Sequence, residues 1–237
     1  MDIGCKYHNC LGESCDGHNL KSCVSIVPIF NHLEEDEMIE IMQKIRHINY
    51  KKGEIVYRPG EESDTLYIVN RGRLKLYRIS ESGKEQVIGF LNPGEFTGEL
   101  SLFREGNYER FAEAIMDTQL CTLKRADLKE FLIKYPSISL RILSELSNRI
   151  EESEKQRTRY ATEKVETRIA LFIAESLENE DNRLVELPMS KKDLASYLGT
   201  TPETISRKLA ELEEEGYIER LSNKKIKVLD LDGLLMV

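Results

Sequence analysis

From residue 51 to about 125, glycines cut the chain into short β-like runs, and this constrains the fold more than any other feature. Gly53, Gly60, Gly72, Gly83, Gly94, Gly98 and Gly106 punctuate segments such as Thr65–Val69, Leu74–Ile79 and Gln86–Leu91. A last run, Leu120–Leu123, contains Cys121. Several runs alternate or are apolar throughout, as half-buried and fully buried strands do. Many short strands joined by glycine turns predict a closed or rolled antiparallel sheet. On either side the period becomes helical. Met38, Ile41, Met42 and Ile45 mark one amphipathic helix, with Asn31 the expected cap before the acidic turn Glu34–Glu37. Leu140, Leu143, Leu146 and Ile150 mark a second that begins near Ser137.

The second helix loses its apolar seam after Ile150, and Glu151 through Arg168 is almost entirely polar. A solvated linker helix would read this way. So would a dimer helix with a deliberately weak seam, and a long helix with one apolar half is poorly explained by packing inside one subunit. Leu143, Leu146, Ile150, Ser153 and Arg157 are the expected homodimer contacts, with Arg157 standing where the seam should continue.

Four of the five cysteines, Cys5, Cys10, Cys15 and Cys23, crowd the first 23 residues, a leader too short to hold a core. Thiolates at such spacing can wrap one metal centre, and Cys121 could clamp that centre to the folded body. The chain has no basic-then-apolar leader and no apolar run near the ~18 residues that span a bilayer. No membrane association is expected, and the thiols are expected in a reducing cytoplasm, where metal or redox chemistry outweighs structural disulfides. Hydrophobic residues make up 40% of the 237, enough for true cores. The net charge of −8 argues mildly against nucleic acid, but a DNA reader needs only a local basic surface.

Such a surface is legible in residues 187–228. Ser190 caps a helix over Lys191–Leu198, with Asp193 three residues on, a relative of the capping box. Gly199 ends that helix, Thr201 caps the next, and Pro202 suits its first position. Two helices joined by a tight glycine turn make a helix-turn-helix. Ile205, Leu209 and Leu212 face inward, while Glu203, Ser206 and Arg207 lie on the exposed first turns that enter a major groove in this motif. Arg207 can pair with guanine bidentately, Glu203 can accept from cytosine, and Ser206 can reach a base or phosphate. An ordinary surface helix with a Glu203–Arg207 pair would show the same spacing. The hairpin that follows, Tyr217–Leu221 and Lys225–Leu229, tips the balance, since it resembles a wing. Lys224, Lys225, Lys227 and Lys208 are expected near phosphates.

The order of sheet roll, long helix and winged helix-turn-helix resembles the CRP/FNR family of bacterial transcription regulators. Gly94-Glu95-Phe96-Thr97-Gly98-Glu99-Leu100-Ser101-Leu102-Phe103 is similar to that family's effector-domain signature, and Thr201-Pro202-Glu203-Thr204-Ile205-Ser206-Arg207 to its recognition helix. The resemblance implies an α+β fold: a sensor leader over residues 1–25, a β-roll of cyclic-nucleotide-binding type over 26–136, a dimerisation helix over 137–164, and a winged helix-turn-helix over 165–237. Pro202 stands where the cyclic-AMP branch has an Arg, and Glu203, Ser206 and Arg207 match the FNR branch. That branch implies an oxygen-labile [4Fe–4S] cluster, a homodimer on a TTGAT…ATCAA-type palindrome, and RNA polymerase as a partner. The implied ligands are Cys10, Cys15, Cys23 and Cys121, with Cys5 as an alternative, because C-x4-C-x4-C-x7-C is looser than the family's C-x2-C-x5-C.

Other chemistries stay open. His8 and His18 interleave with the leader cysteines, a mixture zinc accepts. Two thiols could instead form a switching disulfide with no metal. Glu99 and Arg110 are similar to the pair that holds a cyclic nucleotide, but Phe111 replaces the small hydroxyl residue that should follow, so a structural ion pair is expected. A cupin-like metalloenzyme would need histidines in the roll. His8, His18, His32 and His47 all precede residue 51, so no enzyme is expected.

Overall fold

The computed structural model describes residues 22–99, 105–177, 183–187 and 189–237. Cys5, Cys10 and Cys15 lie outside the described residues. The chain opens with α1 (Ser22–Ser25) and α2 (Glu35–Lys44). The cap of α2 is Glu34, not Asn31 as the sequence suggested. The Glu37 carboxylate accepts the Glu34 N–H at 2.9 Å, so the acidic turn supplies its own start.

Eight strands follow: β1 (Arg46–Tyr50), β2 (Ile55–Tyr57), β3 (Thr65–Arg71), β4 (Leu74–Ile79), β5 (Glu85–Leu91), β6 (Phe96–Thr97), β7 (Phe111–Ala114) and β8 (Thr118–Lys124). They form two antiparallel four-stranded sheets, ordered β1-β8-β3-β6 and β2-β7-β4-β5. Val69 and Leu120 from the first sheet meet Tyr57, Leu74, Leu76, Leu91, Ala112 and Ala114 from the second in a core between the sheets. Because side chains alternate along a strand, the neighbours of Val69 and Leu120 point the other way. Ile68, Cys121 and Leu123 therefore face outward, where α1, α2 and two later helices cover them in a second core. Glycine is required at Gly98, whose φ is +89° and where a Cβ would lie 2.3 Å from the Thr65 carbonyl oxygen.

Helices α3 (Arg125–Lys134) and α4 (Pro136–Thr162) leave the roll. Ile138 and Ile142 bury one face of α4 in the helix-covered core, with Leu146 packed against it. The winged unit then runs α5 (Val165–Glu175), β9 (Leu184–Glu186), α6 (Lys191–Tyr197), α7 (Pro202–Glu214), β10 (Ile218–Arg220), β11 (Lys225–Val228) and α8 (Leu231–Leu235). The hairpin expected from the sequence is a three-stranded sheet, β10-β11-β9, because Leu184–Glu186 adds an outer strand to β11. The architecture is the roll, long helix and winged helix-turn-helix expected. Among the described residues, no helix is long and apolar enough to cross a membrane.

Candidate nucleic-acid interface and sensor face

The helix-turn-helix forms as its caps dictate. Ser190 Oγ accepts the Asp193 N–H at 3.1 Å at the start of α6, and Thr201 Oγ1 accepts the Thr204 N–H at 3.3 Å at the start of α7. Gly199 joins them at φ +67°, a left-handed conformation that costs glycine little. Ile205, Leu209 and Leu212 are buried, which turns Glu203 and Arg207 outward with Ser206 beside them. The Arg207 side chain is 68% exposed, and its Nε lies 3.7 Å from Glu211, not from Glu203. The guanidinium is thus largely exposed and held in the helix only by a long contact to Glu211.

Lys224 and Lys227 are exposed on the wing, and Lys225 lies 3.8 Å from Glu186 of β9. Lys208 is placed differently from the sequence expectation. It turns toward α5, where its ammonium bonds Glu166 at 3.0 Å and also Glu211. Those carboxylates raise its pKa, the hydrogen bond to Glu211 first, and make it a joint inside the domain.

On the roll, Cys121 is fully buried and stands directly opposite His47 in the β1–β8 ladder. Its Sγ lies 3.5 Å from His47 Nδ1. His47 is thus a residue of the sheet, where the sequence reading placed it ahead of the roll. Val24, which follows Cys23 in the chain, is fully buried in the same cluster as Cys121. Among the described residues no three His, Cys, Asp or Glu side chains gather as a metal site.

At the nucleotide-like site, Glu99 is paired by two arginines of the chain itself. Glu99 Oε1 lies 3.1 Å from Arg110 and 3.1 Å from Arg149 of α4. Arg149 also donates to the Phe96 carbonyl at 2.7 Å and stacks over the Phe96 ring. Tyr57 and Thr97 close the site through a 2.6 Å hydroxyl pair. Arg149 carried no sequence signal, since a charged residue beside Ile150 on a long helix reads as solvent-facing.

On α4, Leu140, Leu143 and Ile150 form an exposed apolar stripe at seam spacing, Ile150 being 61% exposed. Ser153 and Arg157 are exposed further along. Leu146 sits apart from the stripe, against the roll.

Residues 47–135 match the cyclic nucleotide-binding domain family, and residues 167–237 match the Crp-like helix-turn-helix domain. The chain is 31% identical to the Probable transcriptional regulator flp of Lacticaseibacillus casei, over 90% of this chain and 96% of that one. It is 29% identical to the Anaerobic regulatory protein of Haemophilus influenzae, over 86% of this chain and 80% of that protein. Among solved structures, FixK2 from Bradyrhizobium japonicum superposes with a TM-score of 0.72 at 25% identity, covering 80% of this chain and 95% of the other. The first two of these relatives are named as regulators, and a helix-turn-helix of this type binds DNA. With the roll, the long helix and the presented face of α7 in place, the chain belongs to the CRP/FNR family of transcription regulators.

Proposed function

We propose that this regulator reads an FNR-type palindrome with TTGAT-like half-sites as a homodimer, recruits RNA polymerase, and senses oxygen or redox state through a [4Fe–4S] cluster. The observation that carries the sensor reading is the burial of Val24 in the same core cluster as Cys121. It brings the end of the cysteine leader to the face of the sheet that bears the distant cysteine. A thiol on that face suits a soft iron–sulfur centre held by Cys121 with Cys10, Cys15 and Cys23, or with Cys5 in place of one of these. When bound, such a cluster supplies oxygen lability. The protein's own part is to hold the leader against the roll, next to α4 and its exposed stripe. Glu203, Ser206 and Arg207 would read bases, and Thr201, Lys224, Lys225 and Lys227 would hold phosphates.

The test is an anaerobic absorption spectrum before and after air, with iron and acid-labile sulfide counted on the same sample. Near-equal iron and sulfide, lost in air, is the expected result. Stoichiometric zinc without sulfide would select the zinc reading. A disulfide between two leader thiols with no metal would select the thiol switch.

A further inference from the structure

The roll grips the helix-turn-helix through a buried lysine. Lys75, near the start of β4, is only 6% exposed, and its Nζ lies 2.8 Å from Glu85, 3.2 Å from Glu113 and 3.2 Å from Asp193. The first two carboxylates belong to the roll. The third is in the first turn of α6, 118 residues away in sequence. Burial pulls the ammonium toward neutrality, and the three carboxylates outweigh it and hold Lys75 above the ordinary lysine range.

Two further contacts join the same surfaces. β5 is the edge strand of its sheet, and an edge strand carries backbone groups that need cover. Ser196 of α6 provides it: its Oγ accepts the Val87 N–H at 2.9 Å and donates to the Glu85 carbonyl at 2.9 Å. Gln86 Nε2 donates to the Ser196 carbonyl at 2.7 Å. Beside this, the Phe90 and Tyr197 rings meet at 5.6 Å. Asp193, Ser196 and Tyr197 recur at helical spacing, so a single face of α6 is committed to the roll. That face is separate from the one on α7 that carries Arg207, whose side chain is 68% exposed.

We propose that this seam is a latch through which the roll sets the posture of the reading helix, fixing where α6, and α7 packed against it, stand relative to the roll. A seam of ion pairs and directed hydrogen bonds suits a latch better than a glue. Buried ion pairs add little net stability, but losing one partner strands a charge, so they specify one geometry sharply. Without such a seam, domains joined by a contact of this kind move relative to one another. Only Glu163 and Lys164 separate α4 from α5, and Arg159 of α4 pairs with Glu175 of α5, so the seam works beside a second tie between the long helix and the winged unit.

The inference rests on α7 as the DNA reader, and the experiment separates the two. Lys75→Met and Ser196→Ala are made in the full chain, and Ser196→Ala removes hydrogen bonds without stranding a charge. Hydrogen–deuterium exchange at the Val87 amide reports the latch. Fluorescence anisotropy on a duplex with TTGAT and ATCAA half-sites reports DNA binding. Both variants are expected to lose Val87 protection and to bind the duplex about three- to tenfold more weakly, as a smaller competent fraction raises the apparent Kd. Retained Val87 protection in Ser196→Ala overturns the latch. So does lost protection with unchanged or tighter DNA binding. Arg207→Ala, measured in parallel, should weaken binding with Val87 protection intact, which keeps failure of the reader distinct from failure of the latch.

Discussion

Cys121 Sγ and His47 Nδ1 lie 3.5 Å apart, directly across the antiparallel β1–β8 ladder. The pair sits on the helix-covered face of its sheet, not between the sheets, because Leu120 takes the inward position. A residue one place earlier or later in β8 would point into the inter-sheet core, out of reach of the leader.

Replacing that thiol should separate folding from sensing. Cys121→Ser keeps the size of the side chain and leaves His47 as a polar partner. Urea unfolding should show a loss of about 1 kcal/mol. Anaerobically prepared Cys121→Ser should lack the iron and sulfide of the parent. Unaltered metal content and air sensitivity would return Cys121 to a packing role.

Arg207 and Lys208 are neighbours with opposite expected behaviour. Arg207→Ala should leave the unfolding midpoint alone and cost about 1–3 kcal/mol of discrimination at the half-site guanine. Lys208→Ala should lower stability by releasing Glu166 and leave the salt dependence of DNA binding unchanged. Replacing Lys224, Lys225 and Lys227 together should reduce the salt slope by about three. Urea unfolding checks the stability statements, and competition titrations at several salt concentrations check the binding ones.

Arg149 is expected to serve where an external ligand would otherwise sit. Arg149→Ala leaves the buried Glu99 carboxylate with Arg110 alone, and Glu99 Oε2 already has no hydrogen bond among the described residues. A loss of about 2 kcal/mol in urea unfolding is expected. Cyclic AMP should not raise the melting temperature of the wild-type chain. A clear upward shift would show that Arg149 yields the pocket to a nucleotide.

The long helix offers two leucines three residues apart with different roles. Leu143→Glu on the exposed stripe should shift sedimentation toward monomer with the unfolding midpoint of the monomer unchanged. Leu146→Ala, against the roll, should destabilise each subunit by about 1–2 kcal/mol. A dimer that survives Leu143→Glu combined with Ile150→Glu would remove α4 as the seam.

His32 links the segment before α2 to the start of the long helix, its Nε2 2.9 Å from Ser137 Oγ. Burial and then the Arg141 charge lower its pKa, with Glu37 opposing. A histidine depressed in the folded state stabilises fully above its ordinary value of about 6.5, and that contribution is lost as pH falls through the folded value. Stability should therefore decline from pH 7 to pH 5, and His32→Gln should flatten that decline in urea titrations.

Local rules carried much of this molecule. The strands Thr65–Arg71, Leu74–Ile79 and Glu85–Leu91 and the caps Ser190 and Thr201 follow from period, glycine and side-chain hydrogen bonding within a few residues. Leu184–Glu186 escaped notice because three residues show no period, and the strand exists only through its pairing with β11.

By itself, then, the sequence determined the order of roll, long helix and winged reader, and which face of α7 is apolar, since these depend on neighbours along the chain. Tertiary structure alone decided which charged side chains find partners across the fold. Lys75 between Leu74 and Leu76 reads as a solvent-facing strand position, and it is buried because α6 arrives from 118 residues downstream with Asp193. Lys208 reads as a free cation and is held by Glu166. Arg149 reads as surface and ends on Glu99. Charge is a property of the residue, but its partner is set by whatever the fold brings within about 4 Å, and no spacing along the chain encodes that distance.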